Sequence, residues 1–228
     1  MYFWGDWTYI LIFPALLLSL WAQFRVQGVF ARYARVAADA RLTGAQVARD
    51  ILDRHGLTDV AIERVGGTLA DHYDPRTRVL RLSPDVHDSF SLAALGVAAH
   101  ETGHALQHAD GYLFLGMRSA MYPAAALGSN GGPLLFILGL FMRSGFMMDL
   151  GIIFFTLAVI FYLVTLPVEF NASSRAVAIL ASEGYVTHEE VRGTRKVLDA
   201  AAMTYVAAAL MAVLQLLRLL MLRGSRDD

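Results

Sequence analysis

Residues 150–168, LGIIFFTLAVIFYLVTLPV, decide the fold class because no charged side chain interrupts them. A helix that crosses a bilayer needs about 20 predominantly apolar residues, and this stretch is apolar on every helical face. Residues 7–22, 131–141 and 200–222 form three further apolar stretches, of which the second needs residues 121–127 to reach spanning length. A soluble protein with buried core helices is the alternative, and the uniform apolarity disfavours it. We therefore predict a mainly α-helical membrane protein with about four transmembrane helices.

The composition excludes several classes of protein. The chain has 228 residues, a formal net charge of −1, 56% hydrophobic residues and no cysteine. A chain this apolar buries enough surface to fold, so disorder is excluded. The absence of net positive charge disfavours nucleic-acid binding. Without cysteine, disulfides and thiolate ligands are impossible, so a transition metal would have to be held by His, Asp and Glu.

The charges around the first apolar stretch predict its orientation. The first six residues, MYFWGD, carry no positive side chain, so the stretch does not resemble a cleaved signal peptide. Basic residues follow it instead: Arg25, Arg32, Arg35 and Arg41. By the positive-inside rule the N-terminus lies outside, and residues 24–120 and 169–199 are cytoplasmic. Trp4, Trp7 and Trp21 bracket this span as interfacial aromatics, while Arg223 and Arg226 fall outside, in mild conflict with the rule.

The polar region after the first span predicts a small α+β unit. Residues 43–56 predict a helix with Thr43 as N-cap and Gly56 at its end. Residues 59–64 alternate in the manner of a strand, and the turn 74–77 separates two short segments that predict an antiparallel hairpin. A second helix is predicted from about Ser91 to His108.

The predicted chemistry lies in residues 100–104, HETGH, within that second helix. His100 and His104 are one helical turn apart on one face, so both imidazoles can reach one metal ion. Glu101 can accept a proton from a water on the open side of the metal. Zinc is favoured because it accepts nitrogen and oxygen ligands in a tetrahedral site. The alternative is an ordinary helix with two surface histidines, but small Ala and Gly residues around the motif permit another element to approach.

A catalytic zinc site needs a third protein ligand. The sequence does not match the metzincin motif at two positions. Gln107 stands where that motif has a glycine, and Asp110 stands where it has the third histidine ligand. His108 lies two turns from His100, roughly 12 Å along the helix, which is too far for one zinc. We predict Glu169 as the ligand, presented by a helix that emerges from the third span at Pro167. The alternative is a helix-end carboxylate at the membrane interface.

Five stretches together resemble the YugP-like family of bacterial membrane zinc metallopeptidases: residues 71–75 (DHYDP), 79–89 (VLRLSPDVHDS), 96–108 (GVAAHETGHALQH), 166–176 (LPVEFNASSRA) and 197–210 (VLDAAAMTYVAAAL). They resemble more distantly the HtpX-type membrane gluzincins. The resemblance implies a multi-pass zinc endopeptidase of the bacterial inner membrane with a cytoplasmic active site. It implies one Zn²⁺ per chain, with His100, His104 and Glu169 as ligands and Glu101 as general base.

The chain departs from the HtpX-type pattern at one position. Those proteins have an aspartate four residues after the ligand glutamate, commonly a partner of a ligand histidine, and this chain has Ser173. Asn171 and Asp71 are the alternative candidates for that role.

Donors to the oxyanion of peptide hydrolysis are less specific. Arg175, Tyr205 and His72 are candidates. Arg175 is equally suited to a salt bridge with Glu183, and Tyr205 to an interfacial position. Residues 79–82 are a candidate for a strand that pairs with extended substrate.

These predictions divide the chain into five segments: a transmembrane helix (1–24), a cytoplasmic zincin-like region (25–120), two transmembrane helices (121–168), a cytoplasmic segment with the third ligand (169–199), and a transmembrane helix with the tail (200–228). The predicted function is zinc-dependent cleavage of membrane or membrane-proximal polypeptides. The expected partners are a polypeptide substrate and the lipid bilayer.

Two alternatives remain at this point. A non-proteolytic zinc-binding membrane protein or transporter subunit is disfavoured because the apolar stretches hold almost no ionisable residue, Arg218 being the exception. An intramembrane site-two-type protease would place the motif inside a span, whereas Asp85, Asp88 and Asp110 flank it here.

Overall fold

The computed structural model describes residues 7–67 and 70–225, and Trp4 lies outside them. The helices in these ranges are α1 (Tyr9–Tyr33), α2 (Gly44–Arg54), α3 (Pro84–His87), α4 (Leu92–Ala109), α5 (Leu113–Met142), α6 (Gly145–Ser182) and α7 (Val191–Gly224). The strands are β1 (Ala61–Arg64), β2 (His72–Asp74) and β3 (Val79–Leu82). The mainly helical fold predicted from the sequence is therefore confirmed.

Four helices in the described part of the chain, α1, α5, α6 and α7, are long and apolar enough to cross a membrane. This confirms the predicted number. The second span is longer than predicted, because α5 begins at Leu113 and continues through the polar Ser129 and Asn130. Both of these side chains donate to the carbonyl of Ala126 in the same helix, so their polar groups are satisfied without interrupting it.

The chain divides into two compact units. The first contains Met1–Ala22, Gly116–Leu166 and Thr204–Asp228. Its α5 and α6 segments approach closely where side chains are absent. A Cβ on Gly132 would lie 2.8 Å from the backbone nitrogen of Phe155. Glycines therefore allow backbone-to-backbone packing in this unit.

The second unit contains Gln23–Leu115 and Pro167–Met203, and it carries the three-stranded sheet. Helix α2 begins at the predicted cap, where Thr43 and Gln46 form a reciprocal capping box. Strands β2 and β3 form the predicted antiparallel hairpin, and β1 joins β3 in parallel, giving the order β1-β3-β2. Strand β3 is thus central. The prediction that residues 79–82 pair with substrate is wrong, because β1 and β2 occupy both edges of β3.

Helix α4 agrees with the prediction to within a residue and is capped by the Ser91 side chain, which accepts from Ala94 N–H. It is the most deeply buried helix of the second unit, and α2 packs along it. A Cβ on Gly103 would lie only 2.9 Å from the carbonyl oxygen of Ala172. The glycine therefore allows the Pro167–Ser182 part of α6 to lie directly against α4.

Helix α6 differs in one respect from the prediction of a helix that starts at Pro167. It is one continuous helix from Gly145 to Ser182 with Pro167 inside it. Proline can remain in a helix when its missing N–H and the freed carbonyl are accommodated. The carbonyl that loses its donor here is that of Leu163, four residues earlier, whereas the carbonyl of Pro167 itself accepts from the Tyr112 hydroxyl at 3.4 Å.

Candidate metal centre

Three side chains converge inside the second unit. His100 and His104 extend from one face of α4, and Glu169 extends toward them from α6. The Nε2 atoms of His100 and His104 lie 3.3 and 3.7 Å from Glu169 Oε2. Glu169 is 2% exposed and His104 7%, whereas His100 is partly exposed.

The donor set fits zinc. Each of the three residues offers one ligand atom, and these atoms lie within 4.8 Å of one another. Two donors about 2.0–2.1 Å from one zinc at a tetrahedral angle are roughly 3.3–3.4 Å apart, close to the two nitrogen–oxygen distances observed. Two imidazoles and one carboxylate also match the ligand chemistry of catalytic zinc sites, which keep a fourth position open.

Glu101 lies beside this centre and is fixed by the backbone. One of its carboxylate oxygens, Oε2, accepts a hydrogen bond from Tyr73 N–H at 3.1 Å. Burial raises the pKa of the Glu101 carboxyl, and the neighbouring His100 and His104 partly offset this. Tyr73 pairs with Leu80 in the hairpin, and its N–H points away from β3 toward α4. The edge of β2 that does not pair with β3 therefore borders the candidate site.

Each histidine has a hydrogen-bond partner at its other ring nitrogen. Ser173 Oγ lies 3.1 Å from His100 Nδ1, and Gln107 Oε1 lies 2.9 Å from His104 Nδ1. Such partners fix the orientation of a ligand histidine. In this chain both partners are neutral, whereas a carboxylate is common at such positions.

The two alternatives to Ser173 lie elsewhere in the network. Asn171 Oδ1 accepts from Gln107 Nε2 at 2.9 Å, and Gln107 in turn contacts His104. Asp71 accepts from the backbone N–H and hydroxyl of Ser83, which ties the start of β2 to the end of β3.

Two of the candidate oxyanion donors have other contacts. Arg175 donates to Asn171 Oδ1 at 2.9 Å and pairs with Asp110, whereas Glu183 lies 3.7 Å from Arg54. Arg175 therefore pairs with Asp110 instead of Glu183. His72 is exposed on β2, and its Nδ1 lies 2.8 Å from the carbonyl of Ala70.

Tyr205 belongs to the other compact unit, so its role stays a prediction. His108 lies at the exposed end of α4, where its Nδ1 is 2.9 Å from the Tyr73 hydroxyl. It thus contacts the edge strand and takes no part in the His100, His104 and Glu169 group.

Two contacts of the site were not predicted from the sequence. The sequence motif predicts no role for Gln107, although its position three residues after His104 puts both side chains on one helical face. A glutamine on the histidine face of an apolar helix is the available sequence signal, and the structure shows that this glutamine is fully buried. The Tyr73 N–H has no such signal, because every residue except proline carries one.

Comparison with known proteins agrees with this geometry. The sequence profile of a family described as "Putative neutral zinc metallopeptidase" matches residues 8–224. The chain is 51% identical over 219 residues to the Bacillus subtilis (strain 168) protein named "Putative membrane protease YugP". The alignment covers 96% of this chain and 97% of the relative. No solved structure matches the chain.

The match over nearly the whole length establishes that this chain belongs to the neutral zinc metallopeptidase family. The resemblance noted from the sequence motifs is therefore confirmed. The family name implies zinc and a peptide substrate, and the relative's name implies a membrane protease.

Proposed function

We propose that this protein is a zinc-dependent membrane endopeptidase of the gluzincin type. The observation that carries the proposal is the convergence of His100 Nε2 and His104 Nε2 on Glu169 Oε2, at 3.3 and 3.7 Å, in a buried position. These three residues would hold one zinc ion. When bound, zinc supplies a Lewis acid that polarises a peptide carbonyl and lowers the pKa of a water molecule.

Glu101 acts as the general base in this proposal. Its Oε2 is held by Tyr73 N–H, which leaves Oε1 to accept the proton of the attacking water and to pass it to the departing amine. The backbone contact keeps the carboxylate in place before substrate binds, so less ordering is needed during the reaction.

The edge strand β2 provides a place for the substrate backbone. It is bonded to β3 on one side only, and its other edge borders Glu101. Because Glu101 occupies the Tyr73 N–H, an extended polypeptide would pair with this edge through the Tyr73 carbonyl and would lie alongside the general base. The four apolar helices favour a substrate that is itself associated with a membrane.

We further infer that the zinc-binding unit faces the cytoplasm of a bacterial cell, in its inner membrane. The basic residues that follow the first span support this orientation: Arg25, Arg32, Arg35 and Arg41. Residues 24–120 and 169–199, the two predicted cytoplasmic segments, closely match the segments that form the second unit.

The decisive experiment compares wild type with Glu101→Gln in detergent. Purified protein is analysed for zinc content and for cleavage of a peptide library. The amide keeps the shape of the side chain but cannot accept the proton, so Glu101→Gln should retain zinc and lose at least about 10²-fold in cleavage rate. Glu189→Gln, at an exposed carboxylate of the same unit, is the matched control and should retain both properties.

Cleavage by Glu101→Gln at the wild-type rate would refute the proposed mechanism. Wild-type protein that contains zinc but cleaves no member of the library, alone or in vesicles, would favour the non-proteolytic zinc-binding alternative.

A further inference from the structure

A continuous hydrogen-bond chain joins the candidate metal centre to the surface of the second unit. It runs from His104 through Gln107 and Asn171 to Arg175, and ends at Asp110. Gln107 is fully buried, and its amide lies at the centre of the chain. These hydrogen bonds connect α4 and the residue after it to α6. Gln107 and Asn171 are 64 residues apart in sequence, and Asp110 and Arg175 are 65 apart.

The direction of every hydrogen bond in this chain can be deduced from its ends. The Arg175 guanidinium is only a donor, so the atom of Asn171 that it contacts must be the amide oxygen. That oxygen also receives the contact from Gln107, so the Gln107 atom involved must be the amide nitrogen. The orientation of both amides follows from donor chemistry.

A second acceptor fixes Gln107 independently. Its amide nitrogen lies 2.9 Å from the backbone carbonyl oxygen of Val168, which can only accept. Reversing the Gln107 amide would place oxygen against oxygen at both Val168 and Asn171. The Gln107 oxygen must therefore face His104 Nδ1, at 2.9 Å.

We propose that Gln107 is a positioning residue that imposes a single tautomer on His104, and that the Val168 carbonyl, together with Asn171 held by Arg175, fixes which way the Gln107 amide points. Because the Gln107 oxygen accepts, His104 Nδ1 must carry a proton. The lone pair is then at Nε2, the atom that faces Glu169. Arg175 and Asn171 thus act on the metal centre through Gln107, and Arg175 serves this purpose rather than oxyanion binding. The inference rests on the proposed zinc site.

The test replaces Gln107 by methionine, which has a similar volume and no amide. Zinc affinity is measured by chelator competition, and solvent exchange of the His104 Nδ1–H is followed by NMR of zinc-loaded protein containing ¹⁵N-histidine. Losing a partner of a ligand histidine weakens metal binding about 10–100-fold. Gln107→Met should show such a loss together with fast exchange of the ring proton, which a purely structural role of Gln107 would not produce.

Two variants at Asn171 distinguish the effect of its hydrogen-bond acceptor from the effect of its packing. Asn171→Asp keeps an acceptor toward both Gln107 and Arg175, so zinc affinity and slow proton exchange should be preserved. Asn171→Leu removes the acceptor at similar volume, so exchange should accelerate and zinc affinity should fall by less than in Gln107→Met, because Val168 still holds the Gln107 amide.

The outcomes distinguish this inference from the proposed function. Gln107→Met that binds zinc as tightly as wild type, with an equally protected Nδ1–H, would overturn the role of Gln107. A His104 that bears its proton on Nε2 in zinc-loaded wild type would overturn the tautomer assignment. Wild-type protein that binds no zinc would instead refute the metal site itself.

Discussion

Two glycines on the same helix are predicted to respond oppositely to the same substitution. Gly96 and Gly103 both lie within α4, where exchange of glycine for alanine stabilises a helix by about 1 kcal/mol if nothing else changes. At Gly96 the new Cβ would be 3.8 Å from Thr194, an ordinary contact. Gly96→Ala should therefore leave the protein as stable as wild type or slightly more stable.

At Gly103 the new methyl group would meet backbone. Its Cβ would be 2.9 Å from the Ala172 carbonyl oxygen and 3.4 Å from the Ala172 Cα, and neither atom can move without moving α6. Overpacking of this kind costs about 1–3 kcal/mol. Because the helix-propensity gain is the same in both variants, their difference in stability should be about 1–3 kcal/mol in favour of Gly96→Ala.

The Gly103 substitution should also affect the metal centre. Ala172 lies three residues after Glu169 on the same helix, so displacement of Ala172 moves the carboxylate relative to His104. The assay is thermal unfolding in detergent, followed by circular dichroism at one scan rate, together with zinc affinity by chelator competition. Equal unfolding temperatures and equal zinc affinities for the two variants would refute the close α4–α6 contact.

The remaining predictions concern the third ligand and the orientation. In structural zinc sites the free energy of zinc binding is about 10–16 kcal/mol for four ligands, or about 2.5–4 kcal/mol per ligand. Losing one ligand should therefore weaken zinc affinity by a factor of about 10² or more. In a chelator competition Glu169→Ala should therefore lose its zinc, whereas the control variant Glu189→Ala should keep it. Stoichiometric zinc in Glu169→Ala would contradict the assignment of Glu169 as a ligand. A reporter fused after Arg41 should behave as cytoplasmic and one fused before Trp4 as external, and export of the Arg41 fusion would reverse the predicted orientation.

The local features of the fold could be predicted because each depends on neighbouring residues. The Thr43 cap, the hairpin around residues 74–77 and the extent of α4 all follow from turn chemistry and helical periodicity. The spacing of His100 and His104 is equally local, since one helical turn separates them.

The order of the strands could not be predicted in this way. Residues 59–64 alternate as a strand should, but alternation does not say which strand they join or in which direction. The parallel pairing of Ala61–Arg64 with Val79–Leu82 makes β3 central. As a result, the edge beside Glu101 belongs to β2.

Of the two partners of the ligand histidines, Ser173 is among the candidates that the sequence offers, whereas Gln107 is not. Ser173 lies 73 residues from His100 along the chain, and its contact depends on how α6 packs against α4. The HtpX-type pattern has a carboxylate at this position, and in this chain the candidates are Ser173, Asn171 and Asp71. The packing instead places a hydroxyl at His100 and an amide at His104.

The assembly of the site and its orientation in the membrane are separate questions. The segments Gln23–Leu115 and Pro167–Met203 belong to one compact unit, and the two candidate spans α5 and α6 link them along the chain. A chain that crosses a membrane twice returns to the side from which it started. If α5 and α6 both cross the membrane, Glu169 emerges on the same side as His100 and His104, whether the first span runs inward or outward. The basic residues after the first span bear only on which compartment the proposed active site faces. A reversed reporter result would therefore relocate the proposed peptidase without removing any ligand from it.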